Sequence, residues 1–163
     1  MLKLFVFLFA SLAWASAISI REAKQFHLRV ISTNSTLNGQ YIVPFDGGNT
    51  GVNYAFAYPE ANNYFYLDDN KHLLCDLRDG RKWGVVIGRN TDPTGYPVIN
   101  VNQNQVQDDL VFRDSFLFYK GNNNFHLCFS DNPKHWKYPT LVLFPYNEQD
   151  IPGECFYVDI QQV

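Results

Sequence analysis

Tyr64-Phe-Tyr-Leu-Asp-Asp-Asn-Lys-His-Leu-Leu-Cys-Asp-Leu77 holds two short apolar runs joined by a polar Asp68-Asp-Asn70 turn, and its reading decides the fold. Neither run is long enough for a stable helix, and the Asp and Asn side chains at the join bond their own backbone, which favours a turn. Asp79-Gly80 then leads into Lys82-Trp-Gly-Val-Val-Ile87, so the hairpin pattern repeats at once. Upstream, Phe26–Ile31 alternates, Asn34–Gly39 turns and Gln40–Phe45 returns; Asp46–Gly51 reads as a flexible glycine loop before Val52–Tyr58. Downstream, Asn90–Pro97 is a long turn, followed by strand candidates at Val98–Val101, Leu110–Arg113, Phe116–Tyr119 and Phe125–Phe129. Lys120–Asn124 separates the last two, and Thr140–Phe144 and Cys155–Ile160 complete the set. One or two helical turns are expected only over Ile20–Phe26.

About a dozen short strands at regular spacing predict one all-β domain over Ile18–Val163, β-trefoil-like or a β-barrel, with a β-sandwich as the alternative. Phe26-His-Leu28, Phe65-Tyr-Leu67 and Phe125-His-Leu127 form a weak internal echo at unequal spacing. Composition agrees with this class. Of 163 residues, 17% are aromatic and only 18% charged, which suits a compact β-rich chain and argues against a coiled coil or a disordered tail. A net charge of −3 leaves no basic footprint for nucleic acid.

Residues 1–17 read as a secretory signal peptide: Lys3, an apolar run from Leu4 to Trp14, then Ala15-Ser-Ala17 as the small-x-small cleavage pattern. The expected product is secreted, extracellular or wall-bound, with no membrane contact after cleavage. Asn34-Ser-Thr36 is a glycosylation sequon in a polar turn, which places Asn34 as the acceptor. Three cysteines in an oxidising compartment leave at least one outside an intramolecular pair. The expected bridge is Cys128–Cys155, worth roughly 3 kcal/mol through loop closure. Cys75, flanked by Leu73, Leu74 and Leu77, is then a buried thiol or an intermolecular partner.

Nothing in the chain has the pattern of a nucleophile motif, and His27, His72, His126 and His135 lack metal-ligand spacing, so no cofactor and no metal are expected. The acidic pairs Asp68-Asp69 and Asp108-Asp109, and Glu148 with Asp150, are weighed as hydrolase carboxylates; Asp68, Asp69 and Asn70 are weighed as calcium ligands. Adjacent carboxylates in a turn ordinarily serve the turn, and the EF-hand spacing is absent. The expectation is a protein that is not an enzyme. Three segments mix amides with rings in the way a sugar site does: Asn62–Tyr66, Lys120–Phe125 and His135–Tyr138. Trp136 and Tyr138, between Pro133 and Pro139, are the candidate sugar-stacking rings.

The order Leu67-Asp-Asp, Trp83-Gly-Val-Val, Phe118-Tyr-Lys-Gly, Phe125-His-Leu-Cys128 and Cys155-Phe-Tyr-Val-Asp-Ile160 resembles small secreted fungal cell-wall proteins. Its layout is similar to the cysteine-bearing C-terminal domain of yeast cell-wall proteins with internal repeats, and to small mould wall proteins. That resemblance implies a structural role in the wall, with glucan as the polysaccharide partner. Yeast members carry four cysteines against three here, and Gln105-Val-Gln-Asp-Asp-Leu110 has Asp109 and Leu110 where the glucan-linking repeat has Gly and Gln. The resemblance therefore carries over no linking residue. A soluble lectin-like or inhibitor-like effector is the alternative function.

Overall fold

The computed structural model describes residues 23–49, 51–91, 97–129, 138–145 and 151–163. They form thirteen strands: β1 (Leu28–Ile31), β2 (Tyr41–Asn49), β3 (Val52–Tyr58), β4 (Tyr64–Leu67), β5 (Leu73–Asp76), β6 (Trp83–Thr91), β7 (Pro97–Gln103), β8 (Leu110–Arg113), β9 (Phe116–Tyr119), β10 (Phe125–Cys128), β11 (Thr140–Leu143), β12 (Cys155–Tyr157) and β13 (Asp159–Gln162). Among the described residues there is no helix. The expected signal peptide, residues 1–17, lies outside them, as do Trp136, His135, Glu148 and Asp150.

All thirteen strands join one curled antiparallel sheet, so the fold is all-β and a two-sheet sandwich is not what forms. Three hairpins, β2–β3, β6–β7 and β10–β11, supply one layer. Their second strands pair with one another in turn: Asn53 with Val101, Val98 with Val142, and Thr140 with Phe56. The other strands build the wall of a partial barrel through β4–β5, β8–β9, β9–β13 and β13–β1, and Phe26 bridges Phe65 to tie the start of β1 to β4. The sheet as a whole curls into a half-barrel. Among the described residues no ladder joins β5 to β8, and the barrel wall is open there.

Alternation puts one face of every strand into a common core. Val30, Ala57, Val101, Phe125, Leu127 and Ile160 are fully buried in it. A smaller cluster, Val98, Cys128, Val142, Phe144 and Cys155, packs around the expected Cys128–Cys155 disulfide, which links directly paired residues of β10 and β12.

Four local expectations are corrected. Asp46–Gly51 is not a loop: β2 continues through Asn49, and the reversal falls at Gly51, whose φ of +82° suits glycine. Residues 23–25 are not helical, while residues 20–22 lie outside the described residues. Cys155–Ile160 breaks in two at Val158, because its N–H leaves the ladder to bond Phe125 O. The turn expected over Asn90–Pro97 is narrower, since β6 extends to Thr91 and β7 begins at Pro97.

Candidate functional site

β3 reads Val-Asn-Tyr-Ala-Phe-Ala-Tyr, and both of its faces are apolar. Ala55 and Ala57 enter the main core, so Tyr54, Phe56 and Tyr58 take the opposite face, where Phe56 is buried and Tyr54 packs against the smaller cluster. The register of β2 adds Tyr41, Val43 and Phe45 opposite Tyr58, Phe56 and Tyr54. The hairpin therefore carries a second, ring-rich face with Val43 and Phe56 buried on it, and Tyr138 lies against it. Its ring stacks on Phe45 at 5.5 Å and 18°, and meets Tyr58 edge-on at 4.9 Å. Phe45 also touches Phe56 and Tyr58, each at 5.7 Å. The Tyr58 phenol is pushed above its ordinary value, chiefly by its hydrogen bond with Tyr138.

The rings continue beyond the hairpin as a belt. Tyr41 meets His27 edge-on at 5.8 Å, and His27 stacks on Tyr64 at 4.6 Å. Arg78 lies over the Tyr64 ring, 5.9 Å from its centre. His27 is fixed by the hydrogen bond of its Nδ1 to Asn63 O at 2.9 Å.

Between Phe45 and Arg78 the belt borders a groove of about 170 Å³, walled by Val43, Pro44 and Phe45 on one side and by Asn62, Asp76 and Arg78 on the other. Asn63 forms part of its lining. Its Nδ2 donates to Cys75 Sγ at 3.1 Å, while its buried Oδ1 has no partner. A buried amide oxygen without a donor costs free energy. Ring walls, a carboxamide, a carboxylate and a guanidinium in one groove can hold a sugar by its apolar face and its hydroxyls.

The other candidates from the sequence have structural duties. Asp68 Oδ1 accepts the backbone N–H groups of Asn70 and His72, and Oδ2 faces the His72 ring and Lys82 at 3.0 and 3.2 Å. The Asp68 carboxyl is raised by partial burial, but these hydrogen bonds outweigh it and bring it down to about 2. The second His72 nitrogen meets Asp108 at 2.9 Å. Asp68 and Asp108, read as hydrolase carboxylates, thus meet one imidazole from both sides. Asp68 is likewise filled as a calcium ligand, and among the described residues no group of three His, Cys, Asp or Glu could hold a metal.

Cys75 is a free thiol buried in the core; burial pushes it up to about 12. Asn34 sits in the turn between β1 and β2, with its Oδ1 capping Thr36 N at 3.0 Å. Asn122, Asn123 and Asn124 tie their loop to Phe144 O, to Tyr157 and Asp159, and to Pro145 O. Of the two stacking candidates, Tyr138 joins the belt and Trp136 lies outside the described residues. Phe45, Tyr58, Tyr41 and Arg78 were not legible as a group; the signal was ring–Ala alternation in β3, which leaves rings on whichever face the core does not take.

A family model described as "Domain of unknown function (DUF7907)" matches residues 23–163. No curated protein and no solved structure matches the chain.

Proposed function

We propose that this chain, which belongs to the DUF7907 family, is a secreted, non-enzymatic β-domain of a fungal cell wall or extracellular matrix that holds polysaccharide, glucan above all, along its ring belt. The belt with its groove supports this reading: half-buried rings beside a carboxamide, a carboxylate and a guanidinium offer a sugar both an apolar face and hydroxyl partners. The leader-like residues 1–17 and the Asn34 sequon support the secretory route, and the family match begins after that leader. The engagement of Asp68, His72 and Asp108 in a clamp supports a role other than hydrolysis.

Fractionation of producer cells tests the location. Recovery in washed wall extracts is expected; recovery wholly in the medium overturns wall association. Sedimentation with insoluble β-glucan tests the contact. Tyr138→Ala and Trp136→Ala are each expected to weaken retention by about tenfold, the loss of one stacking ring. Equal retention of Tyr138→Ala and the native chain removes the belt from the argument. The groove beside Phe45, small enough for one sugar unit, favours a soluble lectin-like effector as the second reading, which recovery in the medium together with sugar-competed binding would support.

A further inference from the structure

The barrel wall has one place where side chains stand in for a ladder. Backbone pairing joins β1 to β13, β13 to β9 and β9 to β8, as it joins β4 to β5, and Phe26 bridges Phe65. No ladder joins β5 to β8 among the described residues. There, one hydrogen bond or ion pair crosses from the β4–β5 hairpin to the chain leading into β8: His72 Nε2 to Asp108 Oδ1, at 2.9 Å. On either side the chain enters the core at once. Leu73 follows His72, Leu110 follows Asp109, and both are buried.

The two carboxylates on this imidazole are held unequally. Lys71 N–H bonds Asp68 O at 2.8 Å and closes the turn, while Asp68 Oδ1 accepts the N–H groups of Asn70 and His72. Asp68 Oδ2 meets His72 Nδ1 at 3.0 Å and Lys82 Nζ, from the residue before β6, at 3.2 Å. Asp108 has the imidazole alone: its side chain is 86% exposed, and no other described residue bonds it. Asp109 is tied to Lys120, whose Nζ stands 3.7 Å from its carboxylate and whose N–H bonds Asp109 O at 3.1 Å. The charged groups that face the ring or share its partners are therefore Asp68, Lys82 and Asp108.

An ionised carboxylate only accepts, so carboxylates facing both ring nitrogens are both satisfied only when the ring carries two N–H groups. A neutral imidazole has one N–H and one lone pair, and the lone pair then faces an oxygen. Two backbone N–H groups and a lysine fix Asp68, so the contact that fails is the one to Asp108. We propose that the β5–β8 seam is a proton-operated latch: charged His72 holds it shut, and loss of the proton at Nε2 frees the segment that leads into β8. The hydrogen bonds to Asp68 and Asp108 raise the pKa of His72 above 6.5, which places the release on the alkaline side of that value. The opening is local, because the other ladders of the wall do not pass through this contact. It gives solvent access to the edge of the core beside Leu73 and Leu110, and it does not depend on what the ring belt holds.

The test follows the full secreted chain, uniformly labelled with nitrogen-15, by NMR from about pH 5 to about pH 9. Ring nitrogen signals are expected to show His72 losing a proton above pH 6.5 and keeping the other on Nδ1, toward Asp68. The Lys120 N–H, bonded to Asp109 O, reports on the seam segment. Its protection from hydrogen exchange is expected to fall about threefold or more over the same titration, the scale of one exposed ion pair. Asp108→Asn, whose amide can donate to the ring lone pair as well as accept, is expected to keep that protection level. Asp108→Ala is expected to give the lowered protection at every pH; the exposure of Asp108 means that neither change disturbs the core. Lys120 is expected to exchange faster than Val158, whose N–H bonds Phe125 O, throughout. Level Lys120 protection in the native chain across the His72 titration overturns the proposal, as does an equal fall in Asp108→Ala. So does a neutral ring that keeps its proton on Nε2. Matching protection at Lys120 and Val158 overturns it as well, since only whole-molecule unfolding would then expose either.

Discussion

His72 shows how a residue can look idle in sequence and hold a fold together. It precedes β5, and its ring reaches Asp68 on its own turn and Asp108 just ahead of β8, across the open edge of the barrel wall. The hydrogen bonds to Asp68 and Asp108 raise its pKa above 6.5, against an opposing effect of burial. A raised folded-state value means the clamp stabilises fully below pH 6.5 and is lost as pH climbs through the raised value. Asp68 acts at the other end: its contribution is present above 3.8 and is lost as pH falls toward about 2. Urea midpoints of the native chain are therefore expected to decline as pH rises past 6.5. That decline should flatten in His72→Gln; an equal decline in the variant would assign it elsewhere. Cys75 gives a second residue-scale expectation. With its thiol buried and pushed up to about 12, it should resist alkylation in the folded protein and react fully once denatured.

Strands were the most legible elements, because each apolar run ends at residues with turn chemistry. β3, β4, β8 and β9 start and stop where the alternation does. The misread segments are those where a local signal was overruled: glycines at 47 and 48 spoke for a loop, yet pairing with β3 carries the strand through to Asn49. Backbone crowding sets one expectation at this scale. A side chain at Gly84 would place its Cβ 1.7 Å from Gln105 O, a backbone atom that cannot step aside. Gly84→Ala should therefore cost more than about 3 kcal/mol in chemical denaturation. The β8–β9 turn errs the other way. Asp114 and Ser115 both sit at positive φ, 49° and 69°, where non-glycine residues are strained. Replacing them by Asn-Gly is expected to stabilise by about 1 kcal/mol, read as a higher urea midpoint with an unchanged slope.

At the scale of the whole molecule, the all-β class could be read from the spacing of runs, but the order in which the strands pair could not. The echo of Phe26-His-Leu28, Phe65-Tyr-Leu67 and Phe125-His-Leu127 falls on β1, β4 and β10, which are not equivalent strands. Strand order is a matter of which strands pair, and pairing partners leave no mark in residue identity. The candidate site was hidden for a related reason. A strand such as β3 with two apolar faces does not say which one the core will take, and nothing in the sequence marks Asn100 and Asn102 of β7 as buried amides. Their unmet oxygens make a stability prediction: the Asn100→Leu chain should be as stable as the native one or more so by about 1 kcal/mol. A clear loss in thermal melting would mean that the amide is structurally required.

The pairing of β1 with β13 has a consequence for how the protein is made. Leu28 meets Gln162, so the first wall strand waits for almost the entire described chain before its ladder can form. The N-terminal third of the described residues therefore keeps an unfilled edge until the last strand arrives, and the sealing of β1 and the joining of Cys128 to Cys155 are both late steps of folding.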